Sequence, residues 1–97
     1  MKTNNTTKAT GTLIRAGRIV SEPIESKYAK FKLDELQGYV GGYIERVEIT
    51  WMGKPHDMLC NEDGKIKGLP INTFATDVAN IGQLIVGDVV ILRKGAW

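Results

Sequence analysis

The sequence is poor in the residues that build reactive or covalently stabilised sites. Its 97 residues include one cysteine, one histidine and three prolines, and aromatic residues make up 7% of the chain. With Cys60 as its single cysteine, the chain can form no internal disulfide and offers zinc no Cys-x-x-Cys pair. Because Met58 and Leu59 beside it are apolar, we interpret Cys60 as a small core residue and not as a reactive thiol.

Long hydrophobic segments are also missing. No apolar run approaches the roughly 20 residues that cross a bilayer, and the start, MKTNNTTKAT, has no hydrophobic stretch like that of a secretory signal. We therefore expect a cytoplasmic protein without membrane contact, in the host cell cytoplasm if a phage encodes it. The polar residues 1–10 predict a flexible tail, and residues 11–97 predict a single domain.

Motifs of enzymes are absent as well. The sequence contains no P-loop and no G-x-G-x-x-G. The single histidine, His56, lies four residues from Cys60 in a predicted strand, where the two would not face each other as a catalytic pair does. Without a second histidine or a convincing acid pair, we expect no enzyme, no cofactor and no metal site.

The net charge of +2 is unevenly distributed. Residues 1–32 hold seven Lys or Arg against two Glu, whereas residues 33–97 hold six Lys or Arg against nine Asp or Glu. A basic first third could attract phosphate, but no block of five like charges occurs, so solvated side chains are the favoured interpretation. The candidate basic surface comprises Arg15, Arg18, Lys27, Lys30 and Lys32.

Apolar periodicity predicts a mixed α+β fold. Residues 12–24 predict a strand that is bulged or turned at Gly17, and residues 43–52 predict the clearest strand. Asp63-Gly64 predicts a hairpin between residues 57–62 and 65–69, and residues 89–93 predict a last strand that is buried on both faces.

Two short helices complete this prediction. Leu33, Leu36 and Val40 share a helical face that ends at Gly41-Gly42. Asn72 or Thr73 caps a second helix, which buries Phe74, Val78 and Ile81 and is closed by Gly82. The predicted order is β-α-β-β-β-α-β, with about four or five strands in one mainly antiparallel sheet and both helices on one face.

An ordered series of short motifs carries a resemblance. Leu36-Gln37, Val40-Gly41-Gly42-Tyr43-Ile44-Glu45, Cys60-Asn61-Glu62-Asp63-Gly64-Lys65, Gly68-Leu69-Pro70-Ile71-Asn72 and Val86-Gly87-Asp88-Val89-Val90-Ile91 follow one another. Over residues 33–92 this series resembles a family of small domains of unknown function from bacteria, plasmids and phages. The resemblance implies the same α+β layout and an origin in a mobile element, and it implies no activity.

Glu45 is the polar residue that the pattern makes most conspicuous. It shares a strand face with the apolar Val47, Ile49 and Trp51, where an unpaired buried carboxylate would cost several kcal/mol. It must therefore have a partner or face a cleft. We favour a structural role, such as accepting backbone N–H groups at a helix start, over contact with a ligand.

The remaining candidates each have a structural and a functional interpretation. Asn61 precedes a two-residue turn that is too short for a calcium loop, and Asn72 suits a helix cap that could also hold a phosphate. Trp51 could stack on a nucleotide ring, although a core position is the favoured interpretation. The candidate ligand-binding residues are Glu45, Arg46, Trp51, Asn61, Asn72 and Thr73.

Three functions are compatible with these features. We expect a small non-enzymatic protein of a phage or mobile element that blocks or sequesters a host defence component, either a host protein or a nucleotide signal. The alternative is a nucleic-acid-binding accessory that uses the basic surface, and an enzyme is the third hypothesis. Trp97 has no evident place in its own subunit, so it is exposed or packs on a partner chain, and we expect a homo-oligomer.

Overall fold

The computed structural model describes residues 7–97, which form one antiparallel sheet and two helices. The elements are β1 (Thr10–Ile14), β2 (Ser21–Glu25), α1 (Leu33–Val40), β3 (Ile44–Trp51), β4 (Lys54–Asn61), α2 (Thr73–Ala79) and β5 (Val89–Arg93). Across the sheet, the strands follow the order β2-β1-β5-β4-β3. The predicted α+β class, with one antiparallel sheet and two short helices, is confirmed.

The first segment of the sheet is a hairpin. Residues 12–24, which the sequence predicts as one strand, form β1 and β2 with a turn that contains Gly17, so two strands precede α1 and the predicted element order is wrong there. Ala9 also exchanges backbone hydrogen bonds with Ser26 (2.8 Å) and Tyr28 (2.9 Å). The sheet pairing therefore begins within the predicted tail, of which residues 1–6 lie outside the described residues.

The second correction concerns the hairpin partner of β4. Residues 65–69 form no strand, because Asn61 Oδ1 accepts the Asp63 N–H at 2.8 Å and residues 62–68 continue as successive turns. The predicted hairpin across Asp63-Gly64 is therefore not formed. Instead, β4 pairs with β3 across the two-residue turn Met52-Gly53, and with β5 on its other side.

The two helices lie on opposite faces of the sheet, not on one face as predicted. One core cluster contains Ile14, Met58 and Ile91 with Ala75 of α2, and the other contains Leu13, Leu59 and Val90 with Leu36 of α1. Strand β5 is buried at Val89–Leu92, so both of its faces are apolar and each needs a cover. We call the two sides of the sheet the α2 face and the α1 face.

Both helices begin and end close to the predicted residues. Helix α1 ends at Gly41, whose φ of 80° is the left-handed conformation predicted for the cap. Helix α2 begins after Asn72, whose side chain accepts the Ala75 N–H, and ends at Asn80, before the predicted Gly82. Neither helix of residues 7–97 has the length and apolarity needed to span a bilayer.

Candidate functional site

A cleft opens at the end of the α2 face that helix α2 leaves uncovered. Its volume is about 260 Å³, and it lies between strands β3 and β4 and the segment 81–86. Apolar side chains such as Val47, Ile81 and Ile85 line it together with the charged residues Glu45, Arg46, Glu62 and Lys65. We call this depression the Glu45 cleft.

Glu45 is exposed, so the cost of burying its carboxylate does not arise. Helix α2 has seven residues and packs over the Val47–Trp51 part of β3, and Glu45 lies at the strand end beyond it. Glu45 therefore faces a cleft, one of the two outcomes expected from its place in the pattern. The helix-start role proposed for it is filled by Glu35, whose Oε1 accepts the Lys32 N–H at 2.9 Å.

Cys60 lines the floor of the cleft opposite Glu45 in the β3–β4 register. Burial raises the pKa of its thiol to about 12, and the negative charge of Glu45 adds to this effect. The thiol therefore stays protonated near neutral pH, which agrees with its interpretation as a core residue.

Arg46 borders the same cleft, but its guanidinium lies on the α1 face. There its Nη1 is 3.1 Å from Oδ1 of Asp57, a carboxylate whose side chain is only 7% exposed. Lys94 Nζ lies 2.6 Å from the same oxygen, and Trp97 Nε1 donates to Oδ2 at 3.0 Å. Asp57 thus collects three donors, one from β3 and two from the C-terminal segment.

The ionisation of Asp57 follows from these contacts. Burial alone would raise its pKa, but the hydrogen bonds from Lys94, Trp97 and Arg46 outweigh burial and lower it. The pKa of Lys94 is raised in turn, because Asp57 and Glu48 both accept hydrogen bonds from its ammonium. An acid directly before the apolar residues 58–60 was the sequence signal that could have identified this site.

Trp97 therefore has a place in its own subunit, contrary to expectation. The chain turns at residues 93–96, where the Ala96 N–H donates to the Arg93 carbonyl at 3.1 Å, and Ala96 accepts the Phe31 N–H at 2.8 Å. This turn directs the indole back onto Asp57 and leaves it 37% exposed. Trp97 is therefore no longer an argument for a partner chain.

The two candidate asparagines both use their side chains inside the fold. Asn61 Nδ2 donates to the Val40 carbonyl at 3.1 Å. Asn72 is fully buried, caps α2 and donates to the carbonyls of Ile14 and Gly87 at 3.0 and 2.8 Å. Their amides are occupied by these bonds, whereas Thr73 is exposed at the first position of α2.

Trp51 lies far from Glu45, at the other end of β3. The two are six positions apart along the strand, which corresponds to about 20 Å. Trp51 packs against the core and borders a separate depression of about 190 Å³ with His56, Arg93 and Thr12. His56 Nδ1 lies 2.9 Å from the Lys54 carbonyl, and because a carbonyl oxygen only accepts, Nδ1 is the donor in this contact. The structure does not bring Glu45, Arg46, Trp51 and Asn72 into one pocket.

The arginines of the candidate basic surface are engaged with acids. Arg15 Nε lies 2.9 Å from Glu22 and its Nη1 lies 3.9 Å from Asp88. Arg18 lies 4.0 Å from the same Glu22 carboxylate. At the β1–β2 turn, positive charge is therefore partly compensated.

The lysines lie at the opposite end of β2, in the loop that leads to α1. Lys27, Lys30 and Lys32 are all exposed, and Lys32 Nζ lies 4.7 Å from the centre of the Tyr28 ring. Because β2 has five residues, about 16 Å of strand separates these lysines from the arginines. The five residues form two separate groups and not one basic surface.

These observations define a small antiparallel α+β domain with an open cleft at one end of its sheet. Within residues 7–97, no group of three or more His, Cys, Asp or Glu side chains is placed to hold a metal ion.

The chain belongs to the family described as Domain of unknown function (DUF3846), whose sequence model matches residues 11–96. The expected membership of a family of domains of unknown function is thereby confirmed, and the matched segment is longer than residues 33–92. No curated protein and no solved structure matches the chain.

Proposed function

We propose that this chain is a non-catalytic protein of a phage or mobile element that captures a small nucleotide in the Glu45 cleft and withholds it from host defence. The observation that carries the proposal is the cleft itself: apolar side chains on its floor, with the Glu45 and Glu62 carboxylates and the Lys65 ammonium group at its border. Small-molecule sites combine these two features, an apolar lining and a few polar groups that fix orientation.

The charged residues favour a ligand with donors at one end and an anion at the other. The Glu45 carboxylate can accept two parallel N–H groups, and Lys65 can bind a phosphate as a point charge. Val47, Ile81 and Leu84 offer apolar contact to a ring. Guanine carries adjacent N–H donors on one edge and adenine does not, so a guanine nucleotide is the best match.

The groups near the cleft favour binding without catalysis. The Cys60 thiol is held protonated, and His56 lies four residues along the same strand, about 13 Å away. The origin in a mobile element follows the family resemblance, and a defence signal as ligand follows the analogy with small proteins that act by occupancy alone.

The proposal is tested by thermal unfolding with a panel of guanine, adenine and pyrimidine nucleotides, including cyclic dinucleotides. At about 100 times its Kd, a ligand adds roughly 2.7 kcal/mol to the free energy of unfolding, which raises Tm by about 10–20 °C for a domain of this size. We expect a guanine nucleotide to produce such a shift, and Glu45→Gln and Lys65→Ala each to abolish it.

Matched controls are available on the same surface. Glu25→Gln and Lys54→Ala change an exposed carboxylate and an exposed ammonium outside the cleft, so both variants should keep the full shift. A panel in which no nucleotide raises Tm would refute the proposal, as would a shift that survives Glu45→Gln and Lys65→Ala together.

A further inference from the structure

The outer edge of β3 is the longer of the two free sheet edges in the described part of the chain. It has eight residues and no proline, whereas the opposite edge, β2, has five residues with Pro23 at its centre. Proline and short length protect an edge against pairing with another strand. By this criterion β2 is protected and β3 is open.

The register of β3 and β4 determines which backbone groups the open edge presents. In a two-residue hairpin, the residues that flank the turn exchange hydrogen bonds, and every second pair does so after that. Trp51 and Lys54 flank the turn, and at the far end the Tyr43 carbonyl accepts the Glu62 N–H at 2.8 Å, as this alternation requires. The backbone groups that point outward therefore belong to Ile44, Arg46, Glu48 and Thr50.

These outward groups have no backbone partner within residues 7–97. Each of the four residues presents one N–H and one C=O to the outside. Their side chains lie on the α1 face, where Arg46 and Glu48 carry opposite charges on neighbouring outward positions. The edge therefore has unpaired backbone N–H and C=O groups. It also carries one positive and one negative side chain, which could pair with those of a second copy of the same edge.

We propose that β3 pairs antiparallel with β3 of a second copy of this chain, with Val47 on the two-fold axis. In this register Arg46 of each copy lies opposite Glu48 of the other, and Ile44 lies opposite Thr50. All four outward residues of each copy are then paired, which gives about eight backbone hydrogen bonds between the copies.

The neighbouring registers are disfavoured by like charges. Centring the axis on Arg46 would place two arginines opposite each other, and centring it on Glu48 would do the same with two glutamates. Like charges directly opposite one another destabilise a strand pair. Because residues that face each other must share a face, registers with the axis between residues are excluded.

The pairing has a consequence for the cleft, and this step rests on the proposed function. A second depression of about 590 Å³ borders Glu48–Thr50 and α2 beside the Glu45 cleft of about 260 Å³. In the pair, Glu45 of one copy lies opposite Ile49 of the other, so each Glu45 cleft adjoins the second depression of its partner. A nucleotide larger than the cleft of one copy then spans the boundary between the two.

A single cysteine on the axis tests the register. In Val47→Cys the two introduced thiols lie directly opposite each other at a non-hydrogen-bonded position, where Cα atoms are about 4.5 Å apart and a disulfide can form. We expect mild oxidation to convert this variant into a reducible dimer of twice the 10.7 kDa chain mass on a denaturing gel.

Thr50→Cys is the matched control, because Thr50 is more exposed than Val47 but lies about 20 Å from its own counterpart in the proposed register. This variant and the wild type, which retains Cys60, should stay monomeric on the same gel. Sedimentation equilibrium of the unmodified protein should give the dimer mass in solution. A monomer at every concentration overturns the pairing, and so does cross-linking of Thr50→Cys as fast as that of Val47→Cys.

The two proposals fail separately. If the protein is a monomer that a guanine nucleotide still stabilises, the strand pairing is refuted and the proposed ligand is retained. If the protein is a dimer that no nucleotide stabilises, the proposed ligand is refuted and the strand pairing is retained.

Discussion

Asn72 lies where the start of α2, the end of β1 and the turn before β5 meet. Its Oδ1 accepts the Ala75 N–H at 3.0 Å, and its Nδ2 donates to the carbonyls of Ile14 and Gly87. Replacing it with alanine removes a helix cap, which costs roughly 1 kcal/mol. It also leaves buried carbonyls without donors, which costs roughly 1–3 kcal/mol more.

We therefore expect Asn72→Ala to lower the free energy of unfolding by about 2–4 kcal/mol in urea titrations. Asn72→Asp keeps the capping oxygen but loses the donors, so it should be destabilised as well. Thr73→Ala, at the adjacent exposed position, should change stability by less than about 0.5 kcal/mol. If Asn72→Asp were as stable as the wild type, the bonds to Ile14 and Gly87 would contribute nothing.

The cap at Asn72 could be predicted from the sequence because capping is local: the side chain bonds to an amide three residues ahead. Its two long-range bonds could not, since they depend on where β1 and the turn before β5 come to lie. The exposure of Glu45 escaped prediction for a similar reason. Period-two alternation assigns Glu45 to a face but says nothing about how far a seven-residue helix on that face extends.

Strand β3 joins β4 through a turn whose first residue is strained. Met52 has a φ of 55°, and Gly53 after it has a φ of 77°. Both central residues of this turn type need positive φ, which Asn-Gly adopts readily and most residues adopt at a cost of about 1–2 kcal/mol. Met52 is 80% exposed, so its side chain offers little burial in return.

Met52→Asn should therefore stabilise the protein by about 1 kcal/mol, a rise in Tm of roughly 4–8 °C by calorimetry. Met52→Ala retains the unfavourable φ and serves as the control, with an expected change close to zero. Equal stabilisation by alanine would show that the effect comes from losing the exposed methionine and not from the backbone.

The same turn explains why one hairpin was predicted at the wrong place. Asp63-Gly64 has the residues of a two-residue hairpin turn, and Met52-Gly53 has only half of them. No hairpin forms at Asp63-Gly64, because Asn61 and the residues after it bond to one another as consecutive turns. Strand β4 pairs instead with β3 and β5. The prediction of β5 is confirmed, because a short apolar run bounded by turn residues is typical of a strand that is buried on both faces.

At the scale of the whole molecule, the C-terminal segment closes the α1 face of the sheet. Lys94 and Trp97 both bond to Asp57 of the inner strand β4, and Lys94 Nζ also reaches Glu48 of β3 at 2.9 Å. The pKa of Asp57 is lower in the folded chain than in the unfolded one. Its contribution to stability is therefore complete above the unfolded pKa and is lost as pH falls through the folded pKa.

The pKa of Lys94 moves in the opposite direction, so its contribution is complete below the unfolded pKa and is lost as pH rises through the folded value. The molecule should thus be most stable between these two limits. This interval lies between about pH 5 and pH 10, given the unperturbed pKa values of aspartate and lysine.

Asp57→Asn tests the acid limit. At pH 7 we expect it to lower the free energy of unfolding by about 2 kcal/mol, since hydrogen bonds to a charged group contribute roughly 1.5–3 kcal/mol. At about pH 2.5 the difference from the wild type should be clearly smaller, because Asp57 becomes protonated as pH falls and a protonated aspartic acid resembles asparagine. Urea titrations at both pH values measure this, with Glu25→Gln at an exposed carboxyl as the control. A penalty that stays constant with pH would mean that Asp57 acts through its shape and not through its charge, and the closure by the C-terminal segment would then be independent of ionisation.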